Sequence, residues 1–315
     1  MSIEITAPAC LLLGLAQVDG QTCQLGITLQ YPPIQLLARE AAGLAITGGR
    51  ADLARRQAER LTSPPDPLSS QERGSGGEVE IELAIPQFMG LGSGAMLGLS
   101  VARALAALHG LPIEVPALAA AVGLTSDEAL EAHAFAQGGL LLVDGAGTLR
   151  RRHEIAQHDE ADDWVFVLVL PHVPADIPEM LEADMRRALG AAAPHLSTET
   201  GSILAGELWP ALEHDDIAAF ARALMAIQAL NHAALADAGQ PVRLAAEEQA
   251  ILAIMREGGA LAWGRVLTGL GFYGLIKGGG PSRALRRALT AHLGYFGGTV
   301  MATLCDNRGA RVRET

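Results

Sequence analysis

Residues 86–96 read Pro-Gln-Phe-Met-Gly-Leu-Gly-Ser-Gly-Ala-Met. Gly90, Gly92 and Gly94 let the backbone approach a ligand with no Cβ in the way. Ser93 adds a hydroxyl for a phosphate oxygen, for a bound Mg²⁺, or for capping the helix that follows. A turn of this kind at a helix start offers free backbone N–H groups and the positive end of the helix dipole, which together hold an anion, most often phosphate. The expected binding surface is the backbone of Gly90, Leu91, Gly92, Ser93, Gly94, Ala95 and Met96. The string is neither a P-loop nor a dinucleotide fingerprint, because no Gly-Lys-Ser/Thr follows and the glycine spacing differs from both. Taken alone, Gly-x-Gly-x-Gly serves equally well as a tight strand-to-helix connection.

The elements around the loop are legible from periodicity. Val79, Ile81, Leu83 and Ile85 alternate with Glu80, Glu82 and Ala84, as in a half-buried strand. Leu97, Val101, Leu105 and Leu108 recur at helical spacing until Gly110 and Pro112. Residues 1–30 predict strand, turn, strand, and "DLARRQAERL" predicts a helix before 62–77, a Pro/Ser/Gly-rich insert with nothing to bury. A helix is expected over 116–124, then a hairpin from Leu140 through a turn at 144–147. The second half opens with the apolar strand 163–171, followed by helices at 177–189, 199–213, 215–236 and 244–257. Glycine-rich strands within 258–279, a helix at 281–293 and a strand near 298–304 close it, the order of a ferredoxin-like α/β sandwich.

With 315 residues, half of them apolar, the chain can bury one large or two modest cores. The net charge of −12 argues against a general nucleic-acid binder. Anions must therefore be held locally, by backbone amides and a few arginines. No long uninterrupted apolar stretch predicts a membrane span, and the start lacks the features of a signal peptide. Cys10, Cys23 and Cys305 read as reduced, partly buried thiols of a cytoplasmic protein, and no cluster has metal-ligand spacing.

The string Pro-x-x-x-Gly-Leu-Gly-Ser-Gly-Ala closely resembles the phosphate-binding motif of the GHMP kinase superfamily, which includes galactokinase, homoserine kinase and mevalonate kinase. "GLGSGAMLGLSVARALAALHGL", "AFAQGGLLLVDG" and "DNRGARV" are most similar to the branch of β-ribofuranosylaminobenzene 5′-phosphate synthases. The resemblance covers nearly the whole chain outside the insert. It implies an α+β two-domain GHMP-kinase fold. Residues 1–160 would form a phosphate- or nucleotide-binding α/β domain with a left-handed-type βαβ phosphate loop, and residues 161–315 a ferredoxin-like α/β sandwich. It also implies that Glu131, at the acidic position before Gly138-Gly139, assists or orients an acceptor hydroxyl. The alternative is a solvated acidic helix face shared with Asp127 and Glu128.

Three landmarks of the branch depart here. Its Arg and His of the opening strand fall on Cys10 and Leu12, and its later Arg falls on Asp127. Its Gln-Ser-Ser-Trp-Gly-Pro stretch is reduced to the glycines Gly269 and Gly271, which with His133 are the expected substrate cleft. Weaker candidates for anion contacts are Arg150, Arg151, Arg152 and Lys277, and Gln228, Asn231 and His232 on one helix face.

The resemblance implies phosphoribosyl transfer from 5-phosphoribosyl diphosphate to a 4-amino- or 4-hydroxybenzoate-type acceptor, with loss of diphosphate and CO₂, in tetrahydromethanopterin-type biosynthesis. Mg²⁺ would bridge the diphosphate, with Ser93 as its expected protein contact. Two alternatives stand beside it: an ATP-dependent small-molecule kinase, and a non-catalytic paralogue that binds a phosphate ligand. The expected partner is a phosphorylated small molecule, with neither nucleic acid nor membrane, and any self-association is expected to be a homodimer.

Overall fold

From Ile3 to Ala7 the chain alternates buried and outward residues, and from Ala7 to Ala16 every residue is buried. This is β1 (Ser2–Val18), which pairs antiparallel with β2 (Gln21–Ala41). The computed structural model describes residues 1–61, 76–174, 176–178, 180–294 and 297–315. Next come β3 (Ala45–Gly48), α1 (Ala51–Leu61), β4 (Gly76–Leu83), α2 (Ser93–Leu108), α3 (Val115–Ala121), α4 (Ala129–Gln137), β5 (Leu140–Asp144) and β6 (Leu149–His153). The middle of the chain holds β7 (Trp164–Pro171), α5 (Leu181–Ala192), α6 (Glu199–Ile203), α7 (Trp209–Glu213), α8 (Ile217–Asp237) and α9 (Ala246–Glu257). It finishes with β8 (Ala262–Arg265), β9 (Phe272–Lys277), α10 (Gly279–Leu293), β10 (Gly298–Thr303) and β11 (Arg311–Glu314).

Two sheets organise these elements. The first runs β11-β1-β2-β4-β3, with β5 and β6 continuing from the other half of β2, and only β3–β4 is parallel. The second runs β10-β7-β9-β8, entirely antiparallel, the strand order of a ferredoxin-like sandwich. A strand covered on both faces reads as a continuous apolar run. In β1 the covers are α2 and the pair α6 and α8. In β7, Phe166 and Leu168 enter the main core, while Val165, Val167 and Val169 meet Ile251, Met255 and Leu289 on the other side.

The expected elements are present with shifted ends. β2 runs on to Ala41 because Ile34, Leu36 and Ala38 keep the inward alternation after a register irregularity opposite Ala7 to Ala9. Of the insert expected at 62–77, residues 62–75 lie outside the described residues, and 76–77 open β4. The helix expected at 199–213 passes through a π turn, Leu204–Leu208, between α6 and α7. The last strand departs from the expected division at 160/161. β11 pairs with β1, so residues 311–314 belong to the first sheet. The crossing is held where Leu29 bridges Cys305 and the Asp306 N–H donates to the Thr28 carbonyl at 2.8 Å. Gln228 and Asn231 are buried, neither surface groups nor ligand contacts. Asn231 accepts the Leu15 N–H at 2.6 Å and returns a bond to the Leu15 carbonyl, and Gln228 donates to the Leu13 carbonyl, so α8 clasps the covered backbone of β1.

Candidate phosphate site

The glycine-rich turn connects β4 to α2. Phe88, Gly90 and Gly92 alternate along it in the left-handed region, at φ 66°, 71° and 70°. Alternating handedness turns successive N–H groups toward one side and makes an anion-binding concavity. Gly92 has to be glycine for a second reason, because a Cβ there would stand 2.9 Å from Glu131 Cγ and 3.3 Å from Cys10 Cβ. Of residues 90–96 all are buried except the half-buried Gly94, where a Cβ would meet nothing within 4 Å. A ligand's open approach to the loop is therefore at Gly94.

Four segments close on this turn. From β1, the Cys10 N–H donates to the Leu91 carbonyl at 3.1 Å. From α4, Glu131 is buried beneath Gly92. From the β8–β9 connection, Leu270 N–H donates to the Phe88 carbonyl at 2.7 Å, and Gly269 lies so close that a Cβ would stand 2.1 Å from the Gly90 nitrogen. A Cβ on Gly271 would likewise meet the Met89 carbonyl at 2.8 Å. From α5 come Glu182 and Arg186, one helical turn apart on one face. Arg186 is hydrogen-bonded and ion-paired to Glu131, and the half-buried Glu182 feels the charges of Arg50 and Arg186. Arg186 also donates to the Asp127 carbonyl at 2.8 Å. A cation from α5 thus reaches the backbone of position 127, where this chain has an aspartate.

Burial works against the Arg186 charge, yet the Glu131 carboxylate more than offsets it and holds the guanidinium protonated. Burial, with Glu131 beside it, pushes the Cys10 thiol well above its ordinary range, so Cys10 is an inert wall of the site. Among the described residues, five buried polar atoms have no hydrogen-bond partner here: Ser93 Oγ, Glu131 Oε2, Glu182 Oε1, Gln57 Oε1 and Arg50 Nη1. Gln57, on α1, belongs to the group through its bond to the Gly94 carbonyl at 3.1 Å.

The structure thus brings together the loop, Glu131, Gly269 and Gly271. His133 stands elsewhere, with its Nε2 3.0 Å from the Gly147 carbonyl at the β5–β6 turn, because its place on α4 faces the hairpin. Arg150 pairs with Asp19 and Asp144, and Arg151 pairs with Glu213 and lies over the Trp209 ring. Arg152 donates to the carbonyls of Gln137, Gly138 and Asn307. It ties the Gly138-Gly139 motif to the 306–309 turn. Lys277 pairs with Asp162 at 2.8 Å. Glu182, Arg186 and Arg50 were not signalled by any motif. Their one sequence cue is that Glu182 and Arg186 share a helix face with Met185 and Leu189.

His232 lines a cavity of about 400 Å³ with Met185, Leu235, Arg243, Val266 and Leu267. Val266 also packs against Gly90, so the cavity lies behind the cover of the loop. Burial lowers the His232 pKa from its ordinary 6.5, so folding favours the neutral ring. The stability this contributes is present above 6.5 and is lost as pH falls from there through the depressed folded value. His232→Gln is expected to flatten that acid limb in thermal unfolding curves followed against pH. An unchanged limb would show that the ring is solvated when folded.

Residues 58–138 match the family described as GHMP kinases N terminal domain, and the chain as a whole has a two-domain α+β fold of the GHMP-kinase kind. The crystal structure of L. major mevalonate kinase in complex with R-mevalonate covers 96% of the chain and 96% of its own, with a TM-score of 0.69 at 16% identity. In sequence, the beta-ribofuranosylphenol 5'-phosphate synthase of Methanothermobacter thermautotrophicus is 23% identical over 250 residues, covering 72% of this chain and 76% of its own. The protein of the same name from Archaeoglobus fulgidus is 24% identical over 230 residues, covering 69% and 70%. These relatives carry the names of enzymes, a kinase and a synthase. Among the described residues no helix is long and apolar enough to cross a membrane.

Proposed function

We propose that the chain is a transferase that binds a diphosphate-bearing substrate at residues 90–96 and transfers a phosphoribosyl group from 5-phosphoribosyl diphosphate to a benzoate-type acceptor. The observation that carries this reading is the set of five unpartnered buried polar atoms around one anion-binding turn. Such groups are costly in a folded core unless a ligand completes them. The names of the two curated relatives supply the ribosyl phosphate. Backbone N–H groups of the loop would take the charge that grows on the departing diphosphate. Ser93 Oγ and Glu131 Oε2 are hard oxygen donors of the kind Mg²⁺ takes, and such an ion would add charge neutralisation there. Arg186 holds Glu131 in an ion pair beneath the loop, which favours a transfer driven by the leaving group.

A second reading, an ATP-dependent small-molecule kinase, is favoured by the burial of Glu131 against Gly92, directly under the loop. Calorimetry with Mg²⁺ separates the two. Binding of 5-phosphoribosyl diphosphate but not ATP is expected, followed by diphosphate release on adding 4-hydroxybenzoate. Binding of ATP alone would move the assignment to the kinase. Binding of neither would leave a protein that has kept the loop and lost its chemistry.

A further inference from the structure

A cavity of about 530 Å³ opens on the first sheet and shares no residue with the phosphate turn. Strand register builds its floor. Arg311, Thr6 and Gln35 stand opposite one another across β11, β1 and β2, and Arg313 stands opposite Glu4 two residues along. Opposed residues of an antiparallel ladder share a face, so these side chains form one polar strip, while Ile3, Ile5 and Ala7 are buried. The walls come from the seam between the sheets. On one side are Tyr31 and Pro33, fixed where the Tyr31 N–H donates to Thr303 Oγ1 on β10 at 2.9 Å and the Gln30 N–H to the Leu304 carbonyl at 3.0 Å. Tyr31 is nonetheless 57% exposed. On the other is the turn at 306–309, whose buried Asp306 accepts the N–H groups of Arg308 and Gly309 at 2.8 and 2.9 Å and pairs with Arg311 at 3.4 Å. Asn307 accepts the Ile155 N–H at 3.1 Å and donates to the Ile155 carbonyl at 2.8 Å. The turn is fixed, and its one carboxylate is engaged by the chain itself.

What faces the cavity from this frame is cationic. Arg308 and Arg313 are exposed and, among the described residues, in no ion pair; the other acid of the cavity is Glu4. Acidic residues outnumber lysines and arginines by 35 to 23 in the chain, so three arginines around one concavity reverse the prevailing sign. Guanidinium groups hold phosphate oxygens in paired hydrogen bonds. The exposed Tyr31 ring offers a stacking face for a planar base, and the amides of Gln35 and Gln157 both donate and accept, as the edge of a base does. We propose that this cavity is a second ligand site, for a nucleoside phosphate, with Arg308 and Arg313 on the phosphate, Arg311 held by Asp306, and Tyr31 on the base. Its volume lies within the range of about 300–1,000 Å³ common to small-molecule sites. A nucleotide there touches β11, β1, β2 and the segment that crosses from β10, and so ties the two sheets at their seam.

AMP carries one phosphate and no diphosphate, so it probes this site apart from the loop. It is titrated calorimetrically into the whole protein and into Arg308→Ser, Arg313→Ser, Tyr31→Ala, Gly94→Ala and the control Arg256→Ser, an exposed arginine of α9. The parent is expected to bind AMP at least about tenfold more tightly than inorganic phosphate or adenosine, since both ends are recognised. Each cavity arginine variant is expected to weaken AMP by at least about tenfold and Tyr31→Ala by at least about fivefold, with Gly94→Ala and Arg256→Ser within about twofold. Circular dichroism selects the variants that fold, and either cavity arginine variant suffices. Hydrogen exchange is expected to slow at the amides of 306–314 on adding AMP and to stay unchanged at 90–96. AMP binding lost in Gly94→Ala but kept in the arginine variants would place the nucleotide at the loop and overturn the second site. Phosphate binding as tight as AMP, or no AMP binding by the parent, would overturn it too and leave the loop reading untouched.

Discussion

Arg186→Met is expected to destabilise the protein by about 3–5 kcal/mol, measured by urea unfolding at neutral pH. The substitution leaves the Glu131 carboxylate, only 5% exposed in its side chain, without a cation in a site walled by Gly92 and Cys10. A buried charge that loses its partner pays nearly the whole desolvation cost, which far exceeds what an exposed ion pair contributes. The double variant Arg186→Met/Glu131→Gln removes both charges and is expected to recover much of the loss. That non-additivity identifies the pair as the unit. A cost below about 1 kcal/mol for Arg186→Met would show that water reaches Glu131 and that the floor of the site is open.

Gly269→Ala carries the other large effect. Its Cβ would stand 2.1 Å from the Gly90 nitrogen and 2.3 Å from the Met89 carbonyl carbon. Backbone cannot give way as the end of a flexible side chain can, so the β8–β9 connection must lift off the glycine turn. The expected cost is at least about 3 kcal/mol, with ligand binding lost as the turn loses its cover. Gly94→Ala is the informative contrast. A Cβ there meets nothing within 4 Å, and Gly94 lies in the first turn of α2, where alanine is the better helix former. It is expected to leave stability unchanged or raise it by up to about 1 kcal/mol, while weakening pyrophosphate binding by filling the approach to the loop. Thermal unfolding and calorimetry on the two variants read both effects. Equal stabilities would mean that Gly269 and Gly90 are not in contact in solution.

The sequence carried the loop because an anion-binding turn is local: Gly90, Gly92, Ser93 and Gly94 lie within a few residues of one strand end and one helix start. The two sheets were legible for a related reason. The runs in β1 and β7 are apolar throughout because helices cover both their faces, and β4 alternates from Val79 to Glu82 because it keeps one polar face, although Leu83, expected inside, is exposed at the strand's end. The rest of the site comes from remote segments. Glu182 and Arg186 look like ordinary charges on a helix and Arg50 like one at a helix start, and what distinguishes them is partial burial, which a charge pattern does not reveal. Gln228 and Asn231 were misread for the same reason, since two amides on an apolar helix can face water or satisfy a covered strand, and only the packing of α8 on β1 decides. β11 was missed as a strand of the first sheet because its pairing depends on how the chain returns after β10.

That return sets an order of events during synthesis. The strand that seals this edge of β1, β11, is made long after β1 itself. Until then the Glu4 and Thr6 backbone, which later pairs with Arg313 and Arg311, is an unpaired strand edge, the kind of surface that recruits other nascent strands. The phosphate turn likewise waits for its cover, since the β8–β9 connection that packs on it is made long after β4 and α2.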